Sequence, residues 1–199
     1  MAYTLVYDIG KSRYINLTNA CTLKCTFCPK NQGDTRVHEH DLSLTKQPSA
    51  NDIILQLGDL SRVEEVVFCG YGESTLRLPE LLSISAYVKS QGIPVRLNTD
   101  GLGNFVHKRN ILPELSSLID KISISLNAQS AEVYEQHCQP NKSGAYDALR
   151  AFIAVAPDYF DHVDVSAIDG LEGVDILACQ KIAETAGAHF KKRVLGRVG

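Results

Sequence analysis

Short apolar runs with strand character alternate with helical patterns along almost the whole chain, and this alternation leaves few folds open. Residues 14–18, 65–69, 95–99, 121–126 and 162–168 read as strands, and 189–195 as a sixth. Helical patterns fall between them at about 51–62, 79–91, 110–119, 131–137, 145–156 and 175–186. Ser49 and Asp52 resemble a capping pair before the first helix, and Gly92 and Gly187 read as helix stops. Strands separated by helices pair in parallel through right-handed crossovers. A complete eight-unit barrel takes about 250 residues, whereas this chain has 199. The expected fold is therefore α/β. We read residues 1–199 as a single domain, a partial (β/α)6 barrel of the TIM type with a parallel sheet. Chemistry in such folds gathers at the C-terminal ends of the strands.

The formal net charge is −3 and the pI about 6.1, which argues against a broad basic face for nucleic acid. No apolar run reaches membrane-spanning length, and the first ten residues lack a basic segment followed by an apolar one. The chain is expected in the cytoplasm, without a membrane partner.

Of six cysteines, three crowd into eight residues directly after the first strand: Cys21, Cys25 and Cys28. In a reducing compartment such crowding points to metal or redox chemistry rather than disulfides. Thiolates at these spacings can hold three corners of a four-iron cubane and leave one iron without a protein ligand. A structural zinc site normally takes four ligands; His38 and His40 are the nearest further donors. A non-catalytic metal-binding module is thus the alternative of another class, and colour separates the two, brown for iron–sulfur and none for zinc. Cys69, Cys138 and Cys179 form no second motif. Cys179 shares a helix face with Ile176 and Ala183 and reads as core, and Cys69 as buried in its strand.

Cys-x3-Cys-x2-Cys with the aromatic Phe27 before the last cysteine resembles the signature of the radical S-adenosylmethionine (radical SAM) superfamily. The resemblance implies a [4Fe–4S] cluster on Cys21, Cys25 and Cys28, with SAM at the open iron. It implies an oxygen-sensitive enzyme that cleaves SAM reductively to a 5′-deoxyadenosyl radical, which takes hydrogen from a substrate the sequence does not identify. A one-electron reductant such as flavodoxin or ferredoxin is the implied partner. Gly72 and Glu73, closing the second strand, match the end of the family's Gly-Gly-Glu segment, which binds the methionine part of SAM; Tyr71 replaces the first glycine. A glycine allows close backbone approach to a ligand, and a carboxylate accepts hydrogen bonds from an amino group. On residue type alone the same segment is a tight turn.

The resemblance further implies that Asn98, Thr99, Ser125 and Asn127, at the ends of the third and fourth strands, touch the SAM carboxylate and ribose hydroxyls. Such residues also simply begin turns. Ile168 and Phe27 are the implied apolar neighbours of adenine. Within the superfamily the short length and the segments Cys-Thr-Phe-Cys-Pro and Gly-Tyr-Gly-Glu look most like the small TatD-associated proteins, implying a functional link to a TatD-type nuclease. The 7-carboxy-7-deazaguanine synthases and glycyl-radical activating enzymes are the compact alternatives. The former usually place a hydroxyl or acid after the last cysteine, where this chain has Pro29 and Lys30. The polar segment 30–47, with Lys30, Arg36, His38 and His40, reads either as a closure over substrate or as a solvated connector.

Overall fold

A computed structural model describes residues 4–195 of the chain. It opens with a hairpin of β1 (Val6–Ile9) and β2 (Ser12–Ile15), turned at Gly10-Lys11 with Gly10 at φ +60°. The sequence reading missed β1 and set the first strand two residues late at its start and three at its end, because neither run is long enough to show a clear period. Stacking of Tyr7 on Tyr14, with centroids 5.3 Å apart, closes the hairpin from one face.

The remaining strands are β3 (Arg36–Val37), β4 (His40–Asp41), β5 (Glu65–Phe68), β6 (Val95–Thr99), β7 (Lys121–Ser125), β8 (Val163–Asp169) and β9 (His189–Val194). The helices are α1 (Ala50–Leu57), α2 (Leu78–Ser90), α3 (Gly103–His107), α4 (Leu112–Ser116), α5 (Ala131–Cys138), α6 (Ala145–Val155) and α7 (Ile176–Thr185). The main sheet runs β1-β2-β5-β6-β7-β8-β9, and every pairing except β1·β2 is parallel. The partial barrel with six parallel strands is as expected; the hairpin adds a seventh, antiparallel edge strand.

Capping decides where the first helix begins and ends. Ser49 Oγ accepts from Asp52 N at 3.2 Å while Asp52 accepts from Ser49 N at 2.8 Å, so the capping box forms. The helix stops at Leu57, five residues before the expected end, because Gly58 takes φ +57°. Arg13 then donates to the freed Leu57 carbonyl and, at 2.9 Å, to that of Asp59.

Side-chain alternation gives the sheet two unlike faces. The outer face presents Val66, Phe68, Val95, Leu97, Ile122, Ile124, Val163 and Val165 to apolar residues of the helices, and this layer is the core. Cys179 is buried there, as read from its helix face. The inner face instead carries Glu65, Arg96, Asn98, Ser123, Ser125, Asp164, Ser166, Lys191 and Arg193, with Val67, Cys69 and Ile168 between them. A closed barrel fills its interior with branched aliphatic side chains. Here the concave face is a polar trough.

The segment 30–47 is more ordered than its composition suggests. A 3-10 turn at Pro29–Gln32 leads into the β3–β4 hairpin, whose Val37, with Leu42 just beyond it, packs on Tyr7 and Tyr71. Asn16 and Asn19 donate to the carbonyls of Leu42 and Leu44, both at 2.9 Å. No helix among the described residues is long and apolar enough to cross a membrane.

Candidate active site

The cysteine loop leaves the C-terminal end of β2 and lies across the end of α5. A helix end exposes carbonyls with no partner inside the helix, and the loop uses them. Thr26 N donates to His137 O at 2.8 Å, and Lys24 N to Cys138 O at 3.1 Å. Asn141 N returns a bond to Thr22 O at 3.1 Å, and Leu23 bridges Pro140. These backbone bonds fix the loop at the mouth of the trough, and side chains of Asn31 and Gln32 add bonds to the Cys25 and Thr26 carbonyls at 3.0 and 2.9 Å.

The end of β5 supports it from the other side. Glu73 N donates to Ala20 O at 2.8 Å. A Cβ on Gly72 would stand 2.1 Å from Thr18 O and 2.6 Å from Ala20 O. The close approach that Gly72 permits is thus backbone on backbone, seating the cysteine loop. Tyr71, expected beside cofactor, donates its hydroxyl to Arg36 O at 2.5 Å and pins the β3–β4 hairpin.

All three loop thiols are free and half-buried. Burial, then the charges of Asp100 and Glu73, push the Cys21 thiol up to about 12. Cys25 is pushed up by its hydrogen bond with Cys138, then by burial. Among the described residues no three His, Cys, Asp or Glu side chains converge on one metal-ligand point. The expected ligands share one loop, but Cys25 turns to Cys138. The donor set still fits an iron–sulfur cluster: three unpaired thiols on a fixed loop, beside two buried acids that disfavour bare thiolates and favour a cation in the protons' place.

Those acids form one network. Glu73 is buried and accepts from Thr75 N (3.0 Å), Thr75 Oγ1 (2.7 Å), Thr99 Oγ1 (2.9 Å) and Asp100 N (2.7 Å). A carboxylate has about four acceptor sites, so an ammonium docks on Glu73 only when a threonine hydroxyl turns away. Asp100 accepts from Leu102 N at 2.9 Å and from Thr22 Oγ1. Burial, then the Glu73 charge, holds its carboxyl well above the usual carboxylate range. The folded state therefore favours protonated Asp100, and stability falls as pH rises through that raised value. Asp100→Asn supplies a donor where the proton would sit. It is expected to raise the Tm of the metal-free protein by roughly 2–6 °C at pH 8, for about 1–2 kcal/mol, and by less at pH 5. Thermal scans at both pH values check this; an equal or larger gain at pH 5 would contradict a protonated Asp100 in the fold.

Of the other expected contacts, Thr99 is buried and serves Glu73. Asn98 lies on the inner face and accepts from Arg96 at 3.1 Å. Ser125 is half-buried at the end of β7. Asn127 is buried in the left-handed region at φ +60°, with Nδ2 donating to Cys138 Sγ at 3.8 Å. Ile168 lies at the C-terminal end of β8, and Phe27 packs half-buried on the core. Cys69 is half-buried just past its strand, on the inner face. The sequence reading missed Cys138 and Arg193 as residues of the mouth. Cys138 closes a helix that shows no chemical motif. Arg193 sits in a Lys-Lys-Arg run that reads as solvated.

The family described as the radical SAM superfamily matches residues 15–184. The chain is similar to the dual-specificity RNA methyltransferase RlmN of Buchnera aphidicola, at 32% identity over 114 residues, covering 53% of this chain and 29% of that protein. It is similar also to a Methanocaldococcus jannaschii protein named for glycyl-radical enzyme activation, at 29% identity over 111 residues, 55% of this chain and 40% of that one. The chain thus spans less than half the length of either relative. Its fold resembles Streptococcus suis SuiB bound to precursor peptide SuiA, with TM-score 0.70 and 15% identity over 96% of this chain and 40% of SuiB. With a match over residues 15–184, the chain belongs to the radical SAM superfamily, whose members bind a [4Fe–4S] cluster and SAM.

Proposed function

We propose that residues 1–199 act as one radical SAM domain, with Cys21, Cys25 and Cys28 holding the cluster and the mouth of the trough holding SAM. The observation that carries this reading is the free three-thiol loop fixed at the C-terminal ends of the strands, beside Glu73 and Asp100. Bound there, cluster and SAM supply reductive carbon–sulfur cleavage to a 5′-deoxyadenosyl radical, with the electron from a donor such as flavodoxin or ferredoxin. The chain's own part is placement. The α5 carbonyls and the Gly72 contact hold the loop, and Glu73 offers an oriented acceptor to the methionine amino group. Asn98, Ser125 and Asn127 edge the site, with Ile168 and Phe27 as apolar neighbours for adenine. The polar trough leaves room for a substrate whose identity the site does not name.

The test is anaerobic reconstitution followed by SAM and a strong one-electron reductant. About four irons and four sulfides per chain are expected by cluster stoichiometry, with 5′-deoxyadenosine and methionine formed in equal amounts and activity lost in air. Tightly held zinc without iron would instead select the binding module. The TatD-associated subtype rests on Cys-Thr-Phe-Cys-Pro and Gly-Tyr-Gly-Glu, and a cytoplasmic site of action belongs to the same reading. Co-purification with a TatD-type nuclease is the check on that link. Likeness to the M. jannaschii protein favours a second reading, activation of a glycyl-radical enzyme; a glycyl radical seen by electron paramagnetic resonance on a partner protein would select it.

A further inference from the structure

The cations of the trough separate by their partners. Arg96 is paired with Glu65 at 3.0 Å, and Lys191 with Asp164 at 2.6 Å. Arg193, near the C-terminal end of β9, has no carboxylate partner among the described residues. Its Nη2 donates to Asn127 Oδ1 at 2.6 Å, the one protein acceptor its side chain has among those residues. A guanidinium carries five N–H donors, so most of the fork is uncommitted.

Arg193 is open to solvent, so a ligand can reach it, while the protein around its head holds its pKa below the usual value through burial. Cys69, Cys138 and Cys25, from the end of β5, the end of α5 and the cysteine loop, lie within electrostatic reach of it. Asn127 is fixed from behind by its bond to Cys138 and by a backbone conformation that few non-glycine residues adopt. It therefore aims the guanidinium across the mouth. Arg96 and Lys191, by contrast, are each held by an acid.

We propose that Arg193, oriented by Asn127, is the anchor for an anionic group, a carboxylate or a phosphate, on the substrate. The planar fork matches either anion in a bidentate way. This rests on the radical SAM reading, in which Glu73 takes the methionine end of SAM. Glu73 follows β5, four strand positions from β9 in the sheet order. Arg193 instead pairs in register with Ile168, beside the expected adenine position. The substrate is thus an organic anion.

The test is calorimetric titration of inorganic phosphate, and separately of oxalate, into cluster-loaded protein with and without saturating SAM. Wild type is expected to bind at least one of them, and Arg193→Met to weaken that binding at least about tenfold, the size of a charge-assisted pair. Arg193→Lys keeps the charge and should retain part of the affinity. Asn127→Asp gives Arg193 an internal acid and should also lose anion binding. Iron content and circular dichroism confirm that each variant is folded, and SAM affinity is expected to stay within about twofold of wild type in the Arg193 variants. Equal binding of both anions to wild type and Arg193→Met would overturn the proposal. So would a tenfold loss of SAM affinity in Arg193→Met together with anion binding that disappears once SAM is present, since the anion would then be the SAM carboxylate. The arm without SAM reads anion binding even if SAM cleavage fails, so the proposal and the enzyme assignment fall separately.

Discussion

Cys25→Ala is expected to stay folded, to lose the cluster and to cleave no SAM above background. The loop around Cys25 is held by Lys24 N, Thr26 N and Thr22 O, none of which depends on the thiol. Removing one half-buried sulfur beside Cys138 costs about 1–2 kcal/mol, or roughly 2–6 °C in Tm. Two remaining thiols cannot hold three corners of a cubane. Activity should fall by more than about a thousandfold, since the cofactor supplies the chemistry. Cys179→Ala is the control, because that thiol is buried in the outer layer. Iron analysis and chromatographic 5′-deoxyadenosine are the measurements. A Cys25→Ala protein that keeps four irons and its turnover would remove Cys25 from the ligand set.

The second large effect is expected from a single methyl group. Gly72→Ala places a Cβ 2.1 Å from Thr18 O and 2.6 Å from Ala20 O, both backbone atoms that no rotamer change can move. Separating the two segments would also break the bond from Glu73 N to Ala20 O. The cost should be about 3 kcal/mol or more, a fall of roughly 6–12 °C in Tm. Iron uptake should fall as well, because the displaced segment leads into the cysteine loop. Gly187→Ala supplies the comparison. That residue has φ +78° with nothing within 4 Å of an added Cβ, so only the backbone penalty of about 1 kcal/mol applies. If Gly72→Ala melted no lower than Gly187→Ala, the contact described here would be wrong.

What the sequence revealed and what it hid divide by range of interaction. The parallel order of β2 and β5 to β9 followed from local periodicity, and the Ser49–Asp52 cap from spacing within one turn. The cysteine loop was legible because its three thiols are neighbours in the chain. The place of that loop on the carbonyls of α5 was not, since backbone groups of distant segments leave no trace in residue type. Cys138 meets Cys25 for the same reason: only folding brings the two thiols together. Arg193 was hidden by its neighbours, because Lys191 and Lys192 make the strand look like a solvated edge; Lys191 and Lys192 each pair with an acid and Arg193 bonds Asn127 instead. The β3–β4 hairpin was masked by polar composition; its order comes from two apolar side chains, Val37 and Leu42, settling on tyrosines from elsewhere.

The unlike faces of the sheet bear on how such a chain diversifies. Truncating a buried aliphatic residue of the outer layer costs about 2–5 kcal/mol, a large part of the roughly 5–15 kcal/mol by which a domain is stable. Polar residues lining an open trough carry little of that stability, and exchanging one typically costs about 0.5 kcal/mol or less. Drift on the concave side is therefore nearly free of folding consequences. A lineage can re-line Asn98, Ser123, Ser125 and Arg193 for a new substrate while the cysteine loop and the helices behind it stay as they are.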